Sequence, residues 1–162
     1  MSILKVDTLQ PATASGVHIA GHTIQTVRTG YSTYASSTST SFAATGLTAT
    51  ITPTSTSSKI LIGVKMNGMY LSVVAGYIVL ELYRGSSSIK RISTTSGYRT
   101  SGDEASYGVY TNSYEHLDSP STTSATTYTV YWKVTSGTAF INNYNLLNGD
   151  SLSSITLQEI AQ

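Results

Sequence analysis

The 162-residue sequence has no cysteine, three prolines and one tryptophan, and only 10% of its residues are charged. The lack of cysteine excludes disulfide frameworks, thiolate metal sites and thiol nucleophiles. Charge is scarce as well, since soluble domains carry about a quarter charged residues. The net charge is +1, and the nine Lys and Arg are scattered along the chain. A nucleic-acid surface would need them clustered on one face. The most apolar stretch, "YLSVVAGYIVLELY" (Tyr70 to Tyr83), is too short to span a bilayer as a helix and is interrupted by Ser72, Gly76 and Glu81. The opening "MSILKVDTLQPATAS" has one lysine and no long apolar core, unlike a signal peptide. The expectation is a soluble chain made without secretion, with neither nucleic acid nor membrane as partner.

Hydroxyl groups stand where charge is missing. Ser and Thr make up roughly a third of the residues. Disordered chains are Ser-rich too, but they lack β-branched and aromatic residues, whereas this sequence is 40% hydrophobic and has 12 tyrosines. Thr and Tyr favour strands, because branched and aromatic side chains pack well on a pleated surface. The length suits one domain with a core of its own.

Side chains along a strand alternate between two faces. In "TGLTATITPTSTSSKILIGVKM", Leu47, Ala49 and Ile51 alternate with Thr48, Thr50 and Thr52, and Ile60, Ile62, Val64 and Met66 alternate with Leu61, Gly63 and Lys65. That is the pattern of two strands about a Pro/Ser/Thr turn. "GYIVLELYR" puts Ile78, Leu80 and Leu82 on one face and Val79, Glu81 and Tyr83 on the other. "TTYTVYWKVTSG" is the clearest strand, with Tyr128, Val130, Trp132 and Val134 opposed to Thr129, Tyr131 and Lys133. "VHIAGHTIQTVRT", "TSFAAT", "LTATIT", "SSIKRIS", "YGVYTNSYEHLDSP", "TAFIN" and "SSITLQEIA" complete the set. About eight to ten short strands with brief connections leave no room for βαβ crossovers and predict an all-β, antiparallel β-sandwich, jelly-roll-like.

The first residues differ from the rest. Ile3, Leu4, Val6 and Leu9 lie in a short extended stretch closed by Pro11 and small residues. Residues 1–25 read as an extended N-terminal arm and linker, and 26–162 as the sandwich domain. The arm is either the first edge strand of its own sheet or a segment that docks on another chain by strand addition.

Catalytic and metal signatures are weak. On an extended segment interrupted by Gly21, His18 and His22 lie well apart, and no third or fourth ligand is nearby, so no metal site is expected. His116 is flanked by Glu115 and Asp118 among many serines, but no G-x-S-x-G elbow singles out a nucleophile. Asp103 and Glu104 are adjacent, and nothing selects a long-range acid pair such as Glu81 with Asp118. Phosphate-binding glycine loops are absent. The expectation is a non-enzyme without catalytic residues or cofactors. Tyr107, Tyr110 and Tyr114, in one extended stretch, are the candidate exposed contact surface, because tyrosine offers a large apolar face with a polar tip.

"LTATITPTSTSSKILIGV", "LDSPSTTSATTYTVYWK", the terminal "ITLQEIA" and the opening "ILKVDTLQ" resemble a β-domain of tailed-phage virion proteins from marine and freshwater bacteriophages, often described as tail-fibre-like. The resemblance implies a non-enzymatic virion structural protein, usually a homotrimer, assembled in the host cytoplasm. Hydroxyls are hydrated without being ionised, which suits a crowded particle surface whose salt varies. A fibre that reaches a receptor usually has a shaft of repeats or heptads, and this sequence has none. A short arm and one globule fit a head decoration (cement) protein. Ile3, Leu4, Val6 and Leu9 would bind the major capsid protein or another virion protein, and the sandwich would trimerise. Half-burying the four arm residues is worth on the order of 3–5 kcal/mol per copy, and three linked arms reinforce one another. The alternative is a tail-fibre or receptor-binding tip that recognises host surface polysaccharide.

Overall fold

Alternation of apolar and hydroxyl residues produces two antiparallel sheets that meet on their apolar faces. The structure, a computed structural model, describes residues 19–73, 76–96, 110–142 and 151–162. They form β1 (Thr23–Tyr31), β2 (Ala35–Ser37), β3 (Ala43–Ile51), β4 (Lys59–Leu71), β5 (Tyr77–Arg84), β6 (Ser87–Ser96), β7 (Tyr110–Asp118), β8 (Thr126–Val134), β9 (Ala139–Ile141) and β10 (Ser153–Ile160). The first sheet runs β1-β10-β4-β7, with the short β9 and β2 continuing from the far end of β4. The second runs β3-β8-β5-β6. Eight principal strands that change sheet in this order make a jelly roll, as the sequence predicts.

The inward phases are those the sequence marks. Ile60, Ile62, Val64 and Met66 of β4 and Ile155 and Leu157 of β10 face Leu47, Ala49 and Ile51 of β3, Ile78, Leu80 and Leu82 of β5, and Tyr128, Val130, Trp132 and Val134 of β8. Each is buried, and burying a large apolar side chain is worth about 1.5–3 kcal/mol.

Two bulges break the period of two. On β4 the register with β7 shifts between Met66 and Met69 around Gly68, at φ 61°, so both methionines turn inward. On β3 it shifts between Ala44 and Thr48 around Gly46, at φ 94°. There the Thr45 hydroxyl donates to the carbonyl of Val130 (2.8 Å) and accepts from the amide of Leu47 (3.1 Å), satisfying backbone groups that the bulge leaves unpaired. The runs "TSFAAT" and "LTATIT" are therefore one bulged strand. β2 carries no apolar alternation and pairs only with β9.

The connections sort into two poles. Turns β3–β4, β5–β6 and β7–β8 lie at the pole where β1 begins and β10 ends, as the pairings Thr23 with Ile160, Ile60 with Asp118 and Ile51 with Thr126 require. The amide of Gly21 donates to the carbonyl of Ala161 (2.8 Å), and that of Ala161 to His22 (2.9 Å). Strand β4 ends, and β7 and β10 begin, toward the opposite pole.

A buried polar residue pins each pole. At the first, Glu159 is fully buried on the inward phase of β10. It accepts hydrogen bonds from Gln25 Nε2 (2.6 Å), Thr54 N (2.7 Å) and Thr54 Oγ1 (2.8 Å), tying β1 and the β3–β4 turn to β10. Burial alone would raise its pKa; the donors outweigh burial and hold the carboxyl below its ordinary value. At the other pole, buried Asn142 donates to the carbonyls of Tyr31 (2.8 Å) and Thr33 (3.1 Å) and accepts from Ser153 Oγ (2.8 Å).

Two outcomes follow for stability. A Cβ at Gly46 would lie 2.8 Å from the Tyr31 ring at a φ that side chains rarely adopt, so Gly46→Ala should lose about 2 kcal/mol in urea unfolding. Gly85→Ala, at φ 57° but with nothing within 4 Å, should lose about 1 kcal/mol, and equal losses would refute the steric account. Glu159→Gln should cost about 2–3 kcal/mol near neutral pH by leaving buried donors unmatched. Because folding lowers this pKa, the carboxylate stabilises the fold above its ordinary value and stops doing so as pH falls through the lowered one. The gap between wild type and Glu159→Gln should therefore shrink below about pH 4; a constant gap would show that charge is not involved.

Candidate functional site

The two outward faces of the sandwich treat their polar groups in opposite ways. On the β3-β8-β5-β6 sheet the outward groups are largely paired with each other. Thr48 meets Thr129 and Thr50 meets Thr127, each hydroxyl pair at 2.8 Å, and these are the outward phases marked in the sequence. Beside them Tyr83 and Tyr131 stack with ring centroids 4.0 Å apart, and Lys133 Nζ sits 4.7 Å above the Phe42 ring. Glu81, nearly buried, accepts from Ser88 Oγ (2.9 Å) and from Arg91 (3.1 Å).

The outward face of β1-β10-β4-β7 is arranged in rows set by the strand registers. Arg28, Thr156, Gly63 and Glu115 form one row, one residue from each strand. Gln158, Leu61 and Leu117 flank it toward the pole of Glu159, and Ser154, Lys65 and Ser113 flank it on the other side. Gly63 has no side chain to fill its place, and an open depression of about 260 Å³ lies over it, bordered by the neighbouring residues of β10, β4 and β7. Among the described residues, the side chains of Lys65, Ser113, Glu115, Ser154, Thr156 and Gln158 have no hydrogen-bond or ion-pair partner in the chain.

The acidic residues weighed in the sequence are not brought together. Asp118 lies on the inward phase of β7, gripped by Arg84 Nη1 at 2.8 and 3.0 Å and by the Tyr128 hydroxyl at 2.7 Å. This ties the edge of one sheet to the other, and burial followed by the Asp118 bond pushes the Tyr128 hydroxyl above the ordinary phenol range. Glu81 faces out from the second sheet, so Glu81 and Asp118 do not face each other across a cleft. The Asp118 carboxylate is already committed, and His116 bonds neither to it nor to a serine among the described residues. No group of three or more His, Asp or Glu able to hold a metal occurs among the described residues.

Of the tyrosines named as a contact surface, Tyr107 lies outside the described residues. Tyr110 opens β7 with its backbone paired to Met69. Tyr114 is half-buried and packs against the core. Ile3, Leu4, Val6 and Leu9 also lie outside the described residues. The structure adds Tyr34, Phe140 and Tyr70, whose rings stack at 5.8 and 5.4 Å along the β9 end of the first sheet. It also adds the depression at Gly63, whose trace in the sequence is a glycine in mid-strand.

No protein-family model matches the chain, and no curated protein sequence matches it. Solved structures similar to it include that of the infectious bursal disease virus Gt strain, at 10% identity and a TM-score of 0.48, covering 98% of this chain and 43% of that one. The Gx strain of the same virus follows at 10% identity and a TM-score of 0.44, covering 98% and 42%. The crystal structure of its VP2 subviral particle is similar at 11% identity and a TM-score of 0.42, covering 98% and 37%. The chain spans less than half the length of these proteins, and a likeness of this strength carries no argument about function.

Proposed function

We propose that the chain is a non-enzymatic virion structural protein of a tailed phage, a homotrimeric head decoration (cement) protein attached by its N-terminal arm. The observation that carries this reading is polar: β1 starts at the pole of the short turns, where Gly21 and His22 are bonded to Ala161. Strand β1 therefore starts at one pole, whereas β6 ends and β7 and β10 begin toward the other. An attached globule needs this separation of a tethered end from a free end. The outward hydroxyls of Thr48, Thr50, Thr127 and Thr129 supply a hydrated, un-ionised surface, suited to many copies packed side by side.

In this reading Ile3, Leu4, Val6 and Leu9 pair with or pack on the major capsid protein, and the sandwich supplies avidity by holding three arms together. The fold alone does not choose among virion positions, because jelly rolls serve many functions.

Removal of residues 1–15 should leave a folded sandwich with wild-type unfolding behaviour that no longer co-sediments with heads. Retained co-sedimentation would refute the arm. Quantified protein in intact virions should show hundreds of copies per particle, as a head surface requires; a handful would move the protein to the tail.

A further inference from the structure

A glycine in the middle of a strand normally weakens it, since it adds backbone entropy to the unfolded chain and leaves a gap in the pleated surface. Five glycines among the described residues have positive φ, and Gly76 and Gly137 sit where a Cβ would collide with neighbouring atoms. Gly63 has neither reason. Its φ is not positive, and a Cβ placed there would meet nothing within 4 Å. Nothing among the described residues requires a glycine at this central position of β4. Such a residue marks a place where something from outside comes close to the backbone.

The chemistry around Gly63 says what kind of thing. Lys65, next along β4 on the same face, offers an ammonium donor, and Glu115, beside Gly63 on β7, a carboxylate acceptor. The hydroxyls of Thr156 and Ser154 on β10 and of Ser113 on β7 complete the border, and Leu61 contributes a small apolar patch. All the polar groups lack partners among the described residues, in contrast to the paired groups on the opposite sheet. One cation and one anion leave the depression close to neutral, so a strongly charged ligand has no preferred sign. At about 260 Å³ it is smaller than an ordinary drug-sized pocket and of a size for a single small ring. Paired donors and acceptors around a small apolar floor fit a ring that carries neighbouring hydroxyls.

We infer that the outward face of β10, β4 and β7 at Gly63 is a binding site for a neutral pyranose sugar. The ring lies over Gly63 and Leu61, and its hydroxyls donate to Glu115 and accept from Lys65. Charge-assisted hydrogen bonds of this kind are the strong ones. This site is independent of the arm and of any position in a virion.

The test is amide NMR of the whole chain titrated with the methyl glycosides of glucose, galactose and mannose and with N-acetylglucosamine, each to millimolar concentration. At least one should shift the amides of Gly63, Glu115 and Thr156 saturably. Gly63→Val should fold with an unchanged or raised melting temperature and lose those shifts, because a branched side chain suits a strand and fills the gap. Glu115→Gln should keep the fold and weaken binding about tenfold. Absence of shifts with all four sugars would overturn the inference, as would shifts that persist in Gly63→Val or an affinity unchanged in Glu115→Gln. If Gly63→Val instead dissociates an oligomer seen by light scattering for the wild type, the face is an interface between copies and the sugar site is wrong.

Discussion

Strand β4 pairs with β10 and β9 along one edge and with β7 along the other, so its two faces set those of the whole first sheet. A one-residue slip would carry Ile60, Ile62 and Val64 to water and bring Lys65 inward. Two devices keep that slip from occurring. The bulge at Gly68 resets the phase so that Met69 and Leu71 remain buried beyond Met66. Glu159, hydrogen-bonded to Gln25 and Thr54, locks β10 against β1 and the turn that feeds β4. Register here is thus held by apolar burial along the strands and by buried polar groups at their ends.

Legibility in the sequence followed the same division. Where a strand buries one face, period two is visible without knowledge of any partner, and the principal strands with their inward residues could be read directly. Where structure depends on distant partners, it could not. β2 has no apolar residue larger than Ala35 and exists through its pairing with β9. The turn-like glycine at 46 suggested two runs, because a bulge and a break share the same local signal. In the sequence Asp118 is one acid among several, since its partners Arg84 and Tyr128 come from the other sheet. Glu159 carried a signal that pattern reading can use: it continues the inward phase of Ile155 and Leu157, and an acid in that phase must be supplied with donors.

The candidate site divides in the same way. Gly63 occupies an outward phase between Leu61 and Lys65, which the alternation already displays. That Thr156 and Glu115 stand beside it depends on the pairing of β4 with β10 and β7, and sequence separations of this size are invisible to local patterns. The tyrosines drew attention because of their chemistry, yet Tyr114 uses half of its surface for packing on the core. Among polar surfaces, an absence of internal partners discriminates better than residue type: both outward faces are rich in hydroxyls, and only one has its hydroxyls paired with one another.

The two proposals constrain each other through geometry. Gly63 lies in the middle of β4 and faces sideways from the sandwich, whereas β1, to which the proposed arm would lead, starts at one pole. Three copies gathered about an axis that runs from pole to pole must meet through their sides. If the sugar face stays open, the copies must meet through another side, and the opposite sheet offers the suitable material. Its threonines are satisfied within the chain, its Tyr83–Tyr131 stack is rigid, and Glu81 is neutralised by Arg91, so covering it strands few polar groups. Covering the Gly63 face would remove water from an ammonium, a carboxylate and several hydroxyls that have no partners among the described residues, which is costly unless a ligand supplies them. The difference in internal pairing between the two sheets therefore favours one face for neighbours and the other for solvent and sugar.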